Sequence, residues 1–540
     1  MRALLAGLAM ATVLVAGPLH GQAAPPQPVP PPPGRVNGDE DRSSIAMEDL
    51  PRRKHCKKVQ IACLLAALAL PVAAQQAPPA PKTTPPLPTG TVIESITCEG
   101  TPDQRYALYL PSGYRPDRAW PILYALDARG NGKRVAEVFQ AGAERYGWVV
   151  ASSYNSASDL SIDPNPAALR AMWLDTHARF ALDDRRVYAA GYSGTVRAAI
   201  RVATAVPGSI VGIFGAGAGF PFEQPPTKDV PFDFLGTVGT RDFNYYQMLD
   251  LEKKLAALSL PHRIDVFTGD HDWPPSDLAA RGIGWLELRA MQRGLRPKDA
   301  ALIDALWAED LAQARQEEAA GHGADALRTW SAMRSSYVGL RDVRDIAEAE
   351  RKAAELAASP AVQRELAARE ERIQRDKAYL AEAPRIFSRA MNGGPDAPPP
   401  TAARIAAELE IDEWKKRAAS TDVEESLSAK RVLNTLSGQT GFYLPTLYID
   451  RKEWDNAILM LSVYAEIHPK SPEPWISLAK TNARKGKAGR KRALDALEKA
   501  AALGWTDRAL IDREPLFDDL RQDKRFQEIV GKMSGEGVRP

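Results

Sequence analysis

The sequence predicts a mostly parallel α/β sheet domain followed by an all-α region. Three observations carry that expectation. Short apolar runs alternate with helix-periodic segments between about residues 90 and 295, the pattern of βα units around a parallel sheet. Two opening strand-like runs joined by a short turn precede the alternation, so the sheet is expected to be parallel for most of its width. After Leu295 the strand pattern stops, and Ala/Glu/Arg-rich helical periodicity continues towards the C-terminus.

In chain order, "TVIESITCE" and "QRYALYLP" alternate as strands joined by a short turn. "WPILYALD", "GWVVASSY", "RVYAAGY", "SIVGIFGAG", "PFDFLGTVG" and "HRIDVFTG" are continuous apolar runs, as expected of strands covered on both faces. Between and after them lie "GKRVAEVFQAGAERYG", "NPAALRAMWLDTHARFAL", "GTVRAAIRVATAV", "NYYQMLDLEKKLAAL" and "SDLAARGIGWLELRAMQRG", each with helical periodicity. The α/β domain therefore spans residues 90–295, a usual size for one core.

Residues 296–540 form the helical region. "DALWAEDLAQARQEEAA", "VRDIAEAERKAAELAA" and "AVQRELAAREERIQRDKAYLAEA" are helices, and "NGGPDAPPP" (Asn392–Pro400) is a loop. Ala457, Leu461, Tyr464 and Pro469 have the spacing of the second helix of a tetratricopeptide repeat. Trp475 and Leu478 begin the next unit, and Ala493, Leu497 and Ala500 resume its second helix, so the repeats are clearest over residues 440–510. Ala326, Trp330 and Met333 are a weaker echo. A generic helical bundle is the alternative.

Residues 1–89 read as export signals and Pro-rich linker. "MRALLAGLAMATVLVAG" has a basic residue and a short apolar core. "PRRKHCKKVQIACLLAALALPVAAQ" is the better signal, ending in Val72-Ala73-Ala74, and the tandem suggests a translation start near Met47. Both apolar runs are short for a membrane span, so a membrane anchor is the lesser reading. Cleavage near Ala74 removes Cys56 and Cys63 and leaves Cys98, too few for an internal disulfide. A periplasmic or secreted bacterial protein is expected.

Net charge +2 gives no electrostatic case for nucleic acid. No pair of His177, His262, His322 and His468 has zinc-site spacing, so neither a metal nor a cofactor is expected.

The chemistry centres on "RRVYAAGYSGTVRAAIRVA". Gly191-Tyr192-Ser193-Gly194-Thr195 falls between a strand and a helix, where a nucleophile elbow exposes a serine hydroxyl. Gly191 allows the close crossing, and Gly194 offers a backbone N–H to an oxyanion. Thr195 replaces the usual last glycine. Asp242 follows the strand in "FLGTVGTRDFNYY" and His271 follows the final strand in "IDVFTGDHDWPP", which completes the order Ser, acid, His. The competing readings are an ordinary turn serine, a helix N-cap at Asp242 and a surface histidine; Asp250, Asp270 and Asp272 rank lower as the acid.

"GYSGTVRAAIRVA", "GTRDFN" and "GDHDWPP" resemble the catalytic blocks of the α/β-hydrolase superfamily, over about residues 95 to 290. They are most similar to secreted polyhydroxybutyrate-depolymerase-like and feruloyl-esterase-like carboxylesterases. The resemblance implies Ser193 as nucleophile, Asp242 as orienting acid and His271 as base, acting on a small or polymeric ester through an acyl-enzyme. A second oxyanion donor is expected from Ala128 or Arg129, in a loop lacking the His-Gly of relatives, where Asp127 could instead hold the loop or cap the helix. No cap insertion interrupts the α/β part, so an open site is expected. The rival function is an exported adaptor that binds a protein partner through its helical repeats and carries an inactive α/β-hydrolase domain.

Overall fold

The computed structural model describes residues 87–391 and 399–533. Both export-like segments and nearly all of the Pro-rich linker lie outside the described residues, as does most of the Asn392–Pro400 stretch.

Eight strands form one sheet: β1 (Val92–Cys98), β2 (Thr101–Tyr109), β3 (Trp120–Leu126), β4 (Val149–Ser153), β5 (Leu182–Tyr192), β6 (Gly212–Ala216), β7 (Asp233–Gly239) and β8 (His262–Phe267). Their order is β1-β2-β4-β3-β5-β6-β7-β8. β2 runs antiparallel to β1 and β4, and every pairing from β4 across to β8 is parallel. This is the α/β-hydrolase arrangement, parallel for most of its width as expected, with β1 and β2 forming an antiparallel edge. Each strand expected from the sequence is present. β5 starts earlier than its apolar run, because Leu182 pairs with Trp120 before a register shift leads into Val187 opposite Ile122. The polar "DDRR" within it is invisible to apolar periodicity.

Helices α1 (Gly132–Tyr146), α2 (Asn165–Arg179), α3 (Gly194–Ala205), α4 (Tyr245–Ala257) and α5 (Ser276–Gln292) flank the sheet. Val135 and Phe139 of α1 and Ile283 and Leu286 of α5 meet Leu123, Val150, Phe214 and Leu235 in one buried cluster. Parallel strands place the loops after β3, β5, β6, β7 and β8 on one edge of the sheet, where α/β folds bind ligands.

From α6 (Ala300–Ala319) onward the chain is helical. α7 (Gly323–Tyr337), α8 (Val343–Ala358) and α9 (Pro360–Met391) come first, followed by α10 (Ala402–Glu408), α11 (Ile411–Ala418) and α12 (Val423–Gly438). A five-residue π-helical turn, Gln439–Tyr443, joins α12 to α13 (Leu444–Asp450). α14 (Trp454–Ile467), α15 (Glu473–Ala483) and α16 (Arg490–Ala502) then carry the repeat-like residues, of which Ala457, Leu461, Leu478, Ala493, Leu497 and Ala500 are buried. Asp299, Asp342 and Asp422 cap helices through side-chain acceptors. α9 continues through Pro384, where sequence reasoning stops it. Burial of Ile386, Phe387 and Ala390 against α10 and α12 outweighs the lost hydrogen bond.

The helical region is joined to the sheet domain by buried polar contacts. Tyr246 Oη donates to the buried Asp376 at 2.5 Å, and Arg431 of α12 lies 4.4 Å above the Tyr245 ring. Arg263 of β8 pairs with the buried Asp310 of α6 at 3.3 Å.

Candidate active site

Ser193 occupies the turn between β5 and α3 with φ 56° and ψ −128°. A non-glycine residue there stores about 1–3 kcal/mol of strain, held by the surrounding structure. The crossing is tight: a Cβ at Gly191 would lie 2.5 Å from Val196 N, and one at Gly194 would lie 2.5 Å from Ser158 Cβ. Gly191 is required by backbone approach, as the motif implies, and Gly194 by the Ser158 side chain.

Thr195 is fully buried and explains its own departure from the pattern. Its Oγ1 accepts from Tyr192 N–H at 2.9 Å and has Leu126 O at 2.5 Å and Tyr192 O at 2.8 Å as acceptors. The hydroxyl thus ties the elbow to the end of β3, filling the space that glycine would leave. Thr195→Val keeps the shape and removes these bonds, so it is expected to destabilise the fold by about 1–3 kcal/mol. Denaturant midpoints measure this, and an unchanged midpoint would refute the tie.

Asp242, 1% exposed, and His271 are brought together: both carboxylate oxygens lie 2.9 Å from His271 Nδ1. Asn244 N–H donates to Asp242 Oδ1 at 2.7 Å, and Asn244 Nδ2 donates to Gly217 O at 2.7 Å. Gly217, at φ 64°, backs the pair; a Cβ there would lie 2.8 Å from the imidazole and 3.0 Å from Asp242 Oδ2. The ring of His271 is held between Phe243 at 4.1 Å and Tyr192 at 4.9 Å, and Tyr192 Oη donates to His271 O at 2.7 Å. His271 Nε2 is buried and has no hydrogen-bond partner.

Ser193 joins this group through its neighbours on either side. Its N–H donates to Ala216 O at 2.9 Å, next to Gly217, and the adjacent Tyr192 is the residue bonded to the His271 backbone. No hydrogen bond links Ser193 Oγ to His271 Nε2 here; such bonds commonly tighten only with substrate.

The loop after β3 is organised by Asp127. Its buried carboxylate accepts from Arg129 N–H at 2.8 Å, Asn131 N–H at 3.1 Å and Trp273 Nε1 at 2.8 Å. Arg129 is therefore corrected as an oxyanion donor, because its N–H is already committed. Ala128 N–H and Gly194 N–H have no acceptor among the described residues. Asp127 holds the loop, and Trp273 links that loop to the His271 segment.

Sequence reasoning missed the contribution of α12. Arg431 Nη1 donates to Thr240 O at 2.9 Å, and Asn434 Nδ2 donates to Arg241 O at 2.8 Å and to Asp270 Oδ1 at 3.3 Å. Arg241 and Asp270 also form an ion pair at 2.8 Å. Helix α12 thus braces the loops on which Asp242 and His271 sit. Burial pushes the phenol of Tyr443, on the π-helical turn, up to about 12. The run "GAGAG" after β6 was the one local signal for the close approach at Gly217.

Asp270 and Asp272 take other roles, Asp270 with Arg241 and Asp272 with Arg134. Asp250 pairs with Lys377 at 2.7 Å.

No family model matches the chain, and no curated protein matches it in sequence. Among solved structures, it is similar to the Staphylococcus aureus serine hydrolase FphF, at 16% identity and TM-score 0.29, covering 36% of this chain and 96% of that one. It is also similar to the S-formylglutathione hydrolase FrmB of Staphylococcus aureus, at 16% identity and TM-score 0.28, covering 37% and 98%. A Clostridium thermocellum feruloyl esterase module complexed with sinapinate matches at 12% identity and TM-score 0.29, covering 39% and 92%.

Proposed function

We propose that this chain is a serine hydrolase of carboxylic esters. The observation that supports it most is the buried Asp242–His271 pair, with the second imidazole nitrogen unpartnered beside a strained serine elbow. In this reading His271 Nε2 takes the proton of Ser193 Oγ as that oxygen bonds to the ester carbonyl carbon. The N–H groups of Gly194 and Ala128 stabilise the oxyanion, aided by the N-terminus of α3. Collapse expels the alcohol, which takes the proton from His271. Water then attacks the acyl-enzyme with His271 again as base, and the acid leaves.

The rival adaptor reading drew on Thr195, whose hydroxyl is satisfied within the elbow. Export of the chain and a tetratricopeptide-like array that engages a protein partner belong to the proposal too, and rest on sequence pattern.

The test is labelling with a fluorophosphonate probe. The intact chain is expected to form a stoichiometric adduct at Ser193, located by peptide mass spectrometry. A folded chain that stays unlabelled would count against the hydrolase.

A further inference from the structure

Arg197 stands one turn into α3, and no step of the proposed mechanism uses it. It makes no ion pair or hydrogen bond among the described residues, and its Nε is buried without a partner. One turn further along, Arg201 is paired with Glu223 at 2.8 Å. Arg197 instead lies 5.2 Å over the Phe222 ring, and Asp159 and Glu223 favour its charge from beyond hydrogen-bond reach. Asp159 accepts from Ser158 Oγ at 2.8 Å, and Glu223 is committed to Arg201. Burial presses the guanidinium below its ordinary range. A largely buried cation with no direct ion-pair partner is costly to keep, and such groups concentrate at functional sites.

Its surroundings are those of the elbow. Ser158, beside Asp159, is the residue a Cβ at Gly194 would strike. Four residues of helix separate Arg197 from Ser193, a rise of about 6 Å, and helical side chains lean towards the N-terminus. The guanidinium is therefore positioned to reach a group that lies a few bonds from a carbonyl at Ser193. Its planar fork matches a carboxylate, with an aromatic wall on one side.

We propose that Arg197 anchors a carboxylate of the substrate, so that the esters preferred are those bearing a free carboxylate about 6 Å from the scissile carbonyl. The proposal rests on Ser193 being the nucleophile and names the substrate class for that reaction. The carboxylate can sit on the acyl or on the alcohol side.

The experiment compares kcat/KM for 4-nitrophenyl hemiadipate with 4-nitrophenyl hexanoate, and for 4-butyryloxybutanoate with butyl butyrate. Charge-assisted hydrogen bonds predict that the native chain favours at least one charged ester by about ten- to hundredfold. Arg197→Met keeps the stem and its aromatic contact, and should collapse that ratio; Arg197→Lys should restore part of it. Misfolding would lower both members of a pair together and leave the ratio unchanged. If the native chain cleaves the neutral esters and Arg197→Met leaves both ratios as they were, the anchor is wrong and the hydrolase stands. If no ester is cleaved, the hydrolase reading falls, and calorimetry with monomethyl adipate decides the anchor. Binding that Arg197→Met removes upholds it, and no binding, or binding that survives Arg197→Met, ends it.

Discussion

Ser193→Ala is expected to lower kcat for 4-nitrophenyl butyrate by about 10⁴- to 10⁶-fold, or about 5 to 8 kcal/mol of transition-state stabilisation. The magnitude follows from covalent catalysis. Without the hydroxyl no acyl-enzyme forms, and only oxyanion stabilisation and binding are left to accelerate attack by water. The backbone at this position separates chemistry from folding. At φ 56° and ψ −128° alanine keeps the strain that serine bears, so Ser193→Ala should melt close to the native temperature. Glycine adopts that geometry freely, so Ser193→Gly should be equally inactive yet more stable by about 1 kcal/mol or more. Steady-state kinetics and thermal unfolding of the three proteins check both halves. Turnover within tenfold of native in Ser193→Ala would refute the nucleophile, and no gain in stability for Ser193→Gly would refute the strain.

The sheet is legible in the sequence because its central strands are covered on both faces. β3 is buried at all seven positions, so "WPILYAL" is one apolar run bounded by turn residues. The polar start of β5 and the passage of α9 through Pro384 depend on tertiary contacts, which no local period reports. The same division holds at the site. Gly191, Ser193 and Gly194 are legible because a strand-to-helix crossing restricts side-chain size over a few consecutive residues. Thr195 looked like a defect because its compensation lies at Leu126, on another strand. Arg129 looked like a donor because nothing in "DARGNG" shows that Asp127 folds back onto its N–H.

The largest omission spans the greatest sequence distance. Arg431 and Asn434 are about two hundred residues from the loops they meet, on a helix whose local pattern marks only its apolar face. Arg431 is 4% exposed and bonded to the Thr240 carbonyl, and Asn434 touches both the Arg241 carbonyl and Asp270. A helical region that binds partners alone would have no need to bury an arginine against the loop carrying Asp242. These contacts make α12 a brace for two loops whose separation sets the Asp242–His271 bond.

That bond carries the second large effect. Asp242→Asn is expected to reduce kcat by about 10³- to 10⁴-fold with little change in stability. Asn244 N–H donates to Oδ1 at 2.7 Å and therefore selects the amide oxygen of the variant for that side. The amide nitrogen is then left at the Oδ2 position, 2.9 Å from His271 Nδ1, where it competes for the ring nitrogen with the oxygen retained at Oδ1, also at 2.9 Å. A donor at that position bonds to an unprotonated Nδ1, which moves the ring proton to Nε2. The imidazole would then present a hydrogen to Ser193 where the reaction needs a lone pair. The carboxylate accepts from Asn244 and from the ring at once and has no such conflict. Hydrolysis of 4-nitrophenyl butyrate measures the loss, and NMR of the ring nitrogens reports the tautomer directly. Asp242→Asn with the Nδ1–H tautomer and activity within tenfold of native would remove Asp242 as the orienting acid.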